Sequence, residues 1–349
     1  MKFTNIKRRT FLQLTTAGAA TLALPGILRA QNYKAEYKLS VVGNGITITD
    51  SAIRWAELVK EKTEGRINIK VYPGSQLVGG DQSRELIALR QGIVDCIVQS
   101  SINASSQIKE LNILSLPFLL PDSKAFDAVV GNPEVKAMLE AGYTQRGSTV
   151  LAWAENGFRQ LANSKRAVRR PEDLVGLKIR YAVSPIFAEM FEALGANPLQ
   201  MSFADLQPAL ATGAVDGLEL PVKIILASKL DQLSQKYVTL WNYANDAFVY
   251  QFKDDLFAGF SDEDREIVRA CALQAAEEIQ TFGRQGLDPH GDRATLDELA
   301  GRGVEIVELT EEELEAFRAA TKPVYDRWVS PIGEELVRKS EEAVAASRS

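Results

Sequence analysis

Apolar and polar positions first fall into an ordered pattern at Tyr37, where the run to Val42 reads as a strand. Ile48, Ala52, Trp55, Ala56 and Val59 then recur on one helical face, and Gly65 supplies the stop. Ile67, Ile69 and Val71 alternate as a second strand up to Pro73-Gly74. Asp81 can cap a helix that carries Leu86 and Leu89 and stops at Gly92, and Val94 to Val98 is the next strand. Strand and helix in alternation predict a mostly parallel sheet covered by helices.

A second set of the same kind begins near Thr149, with a strand through Trp153, another over Leu177 to Tyr181, and helices over Pro185 to Leu194 and Phe203 to Thr212. One internal echo links the sets: Leu89-x-x-Gly92-x-Val94-Asp95 recurs as Leu210-x-x-Gly213-x-Val215-Asp216, each time a helix closed by Gly and followed by a strand. The remainder is mostly helical: Asp262 or Glu263 opens a helix through Cys271 and Ile279, and Val304 to Val307 is a short strand. Thr310 with Glu313 has capping-box spacing. No low-complexity linker separates the two α/β lobes, so the chain is expected to cross between them at ordered hinges. The expected partition is 31–156 with 246–286 in one lobe and 157–245 with 287–349 in the other.

The first thirty residues follow different rules. Lys2, Lys7, Arg8 and Arg9 precede an apolar run from Phe11 to Ile27, and no acid occurs before Glu36, the composition of an export signal over 1–30. Arg8-Arg9 followed by Thr10, Phe11 and Leu12 fits the twin-arginine type, with a general secretory signal as the alternative; both lead to the periplasm. Cleavage after Ala30 is expected, and no cysteine stands at that junction to carry a lipid. Beyond it no stretch is apolar for the ~20 residues a spanning helix needs, and a freely diffusing monomer is expected.

Removing that segment takes Lys and Arg from 40 to 35 against 46 Asp and Glu, a net charge of −11. Nucleic acid is a poor partner for such a surface, and an anionic ligand must be held by a few local cations. A single His290 leaves no ligand pair for zinc and little scope for a Ser-His-Asp arrangement, so neither a metal, nor a cofactor, nor a catalytic residue is expected. Cys96 and Cys271 read as buried free thiols, although the compartment permits a disulfide.

Open α/β sheets bind ligands beyond the carboxyl ends of their strands, so polar residues just after predicted strands are the candidates. They are Asn44, Ser100 with Ser101 and Asn103, Arg159, Arg180 and Glu219. Arg180 sits inside Gly176-Leu177-Lys178-Ile179-Arg180-Tyr181, where a cation is costly unless an anion meets it. A guanidinium can hold a carboxylate through two parallel hydrogen bonds; the alternative is an ion pair with one of the chain's own acids. Arg159 follows Asn156-Gly157-Phe158, which reads as a turn. Trp153 and Phe203 are candidate pocket walls, with burial in the core as the other reading.

The order of motifs resembles the substrate-binding family of TRAP transporters, the tripartite ATP-independent periplasmic systems for organic acids. The resemblance rests on Tyr72-Pro73-Gly74-Ser75-Gln76-Leu77, Leu89-Arg90-Gln91-Gly92-Ile93-Val94-Asp95 and Gly157-Phe158-Arg159. It continues through Pro171 to Arg180, Leu194-Gly195-Ala196-Asn197-Pro198, and Met201-Ser202-Phe203 running on to Glu219. It implies a two-lobed α/β periplasmic-binding-protein fold with a ligand cleft between lobes and a long helix spanning both. It further implies a protein similar to C4-dicarboxylate-binding proteins that is not an enzyme and delivers an organic acid, whether a C4-dicarboxylate, a sugar acid or a hydroxy or branched monocarboxylate, to membrane permease subunits. By the same resemblance Arg180 anchors the ligand carboxylate, Arg159 assists and Phe203 packs on the ligand. Glu219-Leu220-Pro221 departs from the family's "ENP", placing Leu220 where an Asn commonly ligates. The receptor of an ATP-driven importer and a twin-arginine-exported enzyme remain the competing readings.

Overall fold

Two mixed sheets organise residues 33 to 348, which are the residues this computed structural model describes; the expected export signal over 1–30 lies outside them. The first lobe takes β1 (Tyr37–Val41), α1 (Thr47–Lys62), β2 (Ile69–Tyr72), α2 (Glu85–Gln91), β3 (Cys96–Ser100), α3 (Ser101–Ala104), α4 (Ser123–Gly131), α5 (Pro133–Thr144) and β4 (Ser148–Phe158). The chain crosses at Arg159 into β5 (Gln160–Asn163), β6 (Lys178–Tyr181), α6 (Pro185–Ala193), β7 (Asn197–Gln200), α7 (Phe203–Thr212), β8 (Gly217–Leu220), α8 (Val222–Ala227) and β9 (Tyr237–Leu240). It returns through residues 241–244 to β10 (Asn245–Lys253), α9 (Asp254–Ala258) and α10 (Asp262–Arg284), and closes with α11 (Ala294–Gly301), β11 (Glu305–Glu308), α12 (Glu311–Ile332) and α13 (Glu334–Ala346).

The strand orders are β2-β1-β3-β10-β4 and β11-β9-β5-β8-β6-β7. Neither sheet is as parallel as the βαβ pattern predicts, because β10 runs antiparallel to β3 and β4, and β5 antiparallel to β8 and β9. The cause is connectivity. β5 and β10 each arrive from the other lobe through a short crossing, whereas a parallel neighbour needs a crossover of a dozen or more residues, usually a helix. The two crossings are joined by the Arg159 N–H donating to the Ala244 carbonyl at 2.9 Å.

Asn156-Gly157-Phe158 is not the expected turn but the end of the eleven-residue β4, paired with β10. The register shifts there between Asp246 and Ala247, and Gly157 takes φ +118°, a bulge that L side chains tolerate poorly.

The echoed segments are one joint used twice. Gly92 and Gly213 end α2 and α7 at φ +74° and +70°. Asp95 accepts the Lys38 N–H at 2.8 Å, and Asp216 accepts the Lys178 N–H at 3.0 Å, so each aspartate clamps the start of the strand beside it.

Helix α10 opens on a Ser261 cap and is the long helix linking the lobes. It packs on α1 and β4, while at its far end Phe282 lies under Lys223 Nζ of the second lobe at 4.6 Å. Thr310 and Glu313 form the capping box of α12. The segment expected with the second lobe divides: β11 pairs with β9, whereas α13 packs on α4 and α5 of the first lobe. Cys96 and Cys271 are both buried free thiols. Among the described residues no helix is long and apolar enough to cross a membrane.

Candidate functional site

Strand ends from both sheets meet around a buried cavity of about 40 Å³. The first lobe contributes Val42, Ile46 and Ile48 after β1, Gln82, Ser100 and Asn103 after β3, Asn156 from β4, and Asp246 and Phe248 from β10. Arg159 from the crossing, Arg180 and Ala182 from β6, Phe203 at the start of α7, Leu220 from β8 and Ile224 from α8 complete the wall. Val42, Ile46 and Phe203 also line an outer cleft of about 690 Å³ and so divide the interior from the opening. Gln82 ties the lobes at this boundary, its Oε1 accepting the Phe203 N–H at 3.2 Å.

Arg180 and Arg159 are both almost wholly buried, at 1% and 3% exposure, yet their surroundings differ. Arg159 donates through Nε to Glu219, through Nη2 to the Glu219 carbonyl at 2.9 Å, and through Nη1 to Asp246 at 3.4 Å. Burial opposes its charge, but Glu219 and Asp246 outweigh burial and hold its pKa above the ordinary value. Arg180 donates through Nε and Nη2 to the single carbonyl of Met201, at 3.1 and 2.8 Å. Its Nη1 is buried with no hydrogen-bond partner, 4.0 Å from Glu219 Oε1. Burial pushes the Arg180 pKa down to about 10; Glu219 opposes the change and the Arg159 charge adds to it. A cation that is desolvated and incompletely bonded is a standing site for an anion.

The sequence candidates separate into four places. Arg180, Arg159, Ser100 and Phe203 line the cavity together. Glu219 stands behind Arg159, fully buried and saturated by Arg159, by the Ala182 N–H at 3.2 Å and by the Tyr243 hydroxyl at 3.3 Å. Asn44 is exposed in the outer cleft beside Gly43 and Gly74. Trp153 is elsewhere: its indole N–H donates to Glu140 at 3.0 Å and its ring meets Tyr143 edge-on, so it seats α5 against β4 and is no part of the cavity wall.

Asp246 is the principal residue that sequence reasoning misses. It accepts from Ser100 Oγ at 2.8 Å, Ser101 Oγ at 3.0 Å, Asn156 Nδ2 at 2.7 Å and Arg159, drawing the loop after β3 and the end of β4 onto the crossing. Inspecting residues after strands cannot find it, because β10 is antiparallel and its beginning lies beside the end of β3. The available signal is Asn245-Asp246 placed directly before the apolar run Ala247 to Tyr250. Among the described residues no group of acidic, His or Cys side chains has the makings of a metal site.

Residues 40–331 match the family described as bacterial extracellular solute-binding protein, family 7. The chain belongs to this family. These TRAP solute-binding proteins include one from Ralstonia eutropha H16 whose crystal structure, solved with bound (S)-2-acetolactate, superposes with a TM-score of 0.87 at 47% identity, covering 90% of this chain and 100% of that one. The 2,3-diketo-L-gulonate-binding periplasmic protein of Escherichia coli is 30% identical over 94% of this chain and 97% of its own length. An uncharacterised protein of Sinorhizobium fredii is 35% identical over 95% of this chain, which spans 59% of that protein's length. The family, the Escherichia coli protein and the Ralstonia eutropha protein are solute-binding proteins rather than enzymes.

Proposed function

We propose that this TRAP solute-binding protein captures a small organic-acid anion in the periplasm, seats its carboxylate on Arg180, and presents the closed complex to membrane permease subunits. The observation that carries this reading is the Nη1 of Arg180, buried at the cavity wall with no hydrogen-bond partner. A carboxylate there supplies both the missing acceptor and the missing countercharge. Arg159 is bound to Glu219 and Asp246 and assists by fixing the wall on which the anion rests. Two named relatives support an acid as the ligand, since 2,3-diketogulonate and 2-acetolactate each carry one carboxylate.

Capture is closure. The crossings at Arg159 and residues 241–244 act as the hinge, and Gln82 to Phe203 and Arg159 to Asp246 are the bonds that join the lobes once the anion is enclosed. The reading is tested by thermal melts of ligand-stripped protein against a library of organic acids, because a ligand bound only by the folded state raises its melting temperature. A shift of several degrees confined to one acid class is expected. No shift with any acid overturns the reading.

A further inference from the structure

We propose that the cavity selects short monocarboxylates bearing a hydroxyl and a branched apolar end, discriminates against dicarboxylates, and uses Leu220 as a specificity-determining residue. This rests on the assignment of the carboxylate to Arg180.

The charges in the wall come first. The buried cluster holds two guanidinium groups, Arg159 and Arg180, and two carboxylates, Glu219 and Asp246. Arg159 is engaged by both acids, so the ligand finds one incompletely bonded cation, and at it one unpartnered nitrogen. A single carboxylate is matched there. A second would enter a desolvated space with no cation left for it, near two fixed acids that repel it.

The rest of the wall carries the same preference. Ile46, Ile48, Leu220, Ile224 and Phe248 are buried hydrocarbon surfaces of the cavity, suited to methyl groups. The wall also carries the polar side chains of Gln82, Ser100, Asn103 and Asn156, and among these one buried acceptor is unpartnered. Asn156 Nδ2 is bound to Asp246, which fixes the amide, and its Oδ1 is buried without a partner, so it can accept from a ligand hydroxyl. A cavity of about 40 Å³, against about 10–15 Å³ for one water by the same measure, takes a chain of a few carbons. Leu220, which directly follows Glu219 on β8, is one of the lining residues, and its hydrocarbon side chain has no donor to offer a distal carboxylate.

The test is a matched pair in calorimetry on ligand-stripped protein: 2-hydroxy-3-methylbutanoate against malate, which share the 2-hydroxy acid head and differ in whether the tail is branched hydrocarbon or carboxylate. The natural chain is expected to bind the branched acid at least 100-fold more tightly. Leu220→Asn, of similar size, is expected to weaken the branched acid at least tenfold and shrink the ratio at least tenfold, while Leu220→Met keeps it. Malate binding as tightly as the branched acid overturns the proposal, and so does an unchanged ratio in a folded Leu220→Asn protein. The natural-chain comparison decides the selectivity claim even if Leu220→Asn does not fold. If neither acid binds, or if Arg180→Met binds both as well as the natural chain, it is the carboxylate assignment itself that fails.

Discussion

The two arginines of the cavity are buried to similar depth, yet one is fully bonded within the framework and the other keeps an unpartnered nitrogen, on which the proposed ligand assignment rests. Around Arg159 the crossing supplies a carboxylate from each lobe, and every nitrogen of the guanidinium is bonded. Around Arg180 the β6 strand supplies one carbonyl, and one nitrogen stays unpartnered. Burial alone therefore does not mark a ligand-binding cation. What marks it is burial with unfinished bonding, since a native fold normally completes its internal hydrogen bonds.

The largest expected effect is on the framework side. Arg159→Met leaves Asp246 buried without a countercharge and Glu219 with only the Arg180 Nη1 at 4.0 Å, and breaking such a cluster from one side costs about 3–5 kcal/mol. A fall in melting temperature of roughly 5–10 °C is expected by calorimetry. A fall of less than about 2 °C would place Arg159 among the ligand-binding groups instead.

A buried acid sharpens the contrast from the other sign. Glu85 at the start of α2 is fully buried, its Oε1 accepts from Ser40 and Ser75 at 2.9 Å each, and its Oε2 has no hydrogen-bond partner. Burial pushes its pKa from 4.5 up to about 7; the two serines pull the other way and Asp81 adds to the rise. Between those values the folded chain binds more protons than the unfolded one, so this group lowers stability as pH rises from about 4.5 to 7. The cost is fully present above 7, on the order of 3 kcal/mol. Glu85→Gln is expected to melt several degrees above the natural chain at pH 8 and close to it at pH 5. Equal differences at both pH values would show that Glu85 does not titrate in this range.

The smallest expected effect belongs to Arg180 without ligand. Arg180→Met removes a poorly compensated cation, and the ligand-free stability is expected to change by about 1 kcal/mol or less. A loss as large as that at Arg159 would erase the distinction between the two.

Much of this arrangement is legible in the sequence wherever local rules govern. Helix periodicity, the Gly92 and Gly213 stops and the Thr310 cap depend on nearest neighbours, and the structure has each of them. Arg180 stands out because an arginine inside an apolar strand has few uses. Three features are set by partners distant in the chain, and there local reading fails. The bulged end of β4 reads as a turn because Gly157 is seen without β10 opposite it. Trp153 reads as a pocket wall because α5, which it supports, is not visible from the strand. Asp246 escapes because its strand runs against its neighbours, which brings the beginning of β10, instead of its end, to the site.

The most direct measurement is isothermal titration of ligand-stripped natural protein and Arg180→Met with an organic acid that raises the natural protein's melting temperature. At least 100-fold weaker binding in Arg180→Met, with its ligand-free melting temperature preserved, is the expected result. Undiminished affinity in the folded variant would contradict the assignment of Arg180 as the carboxylate anchor.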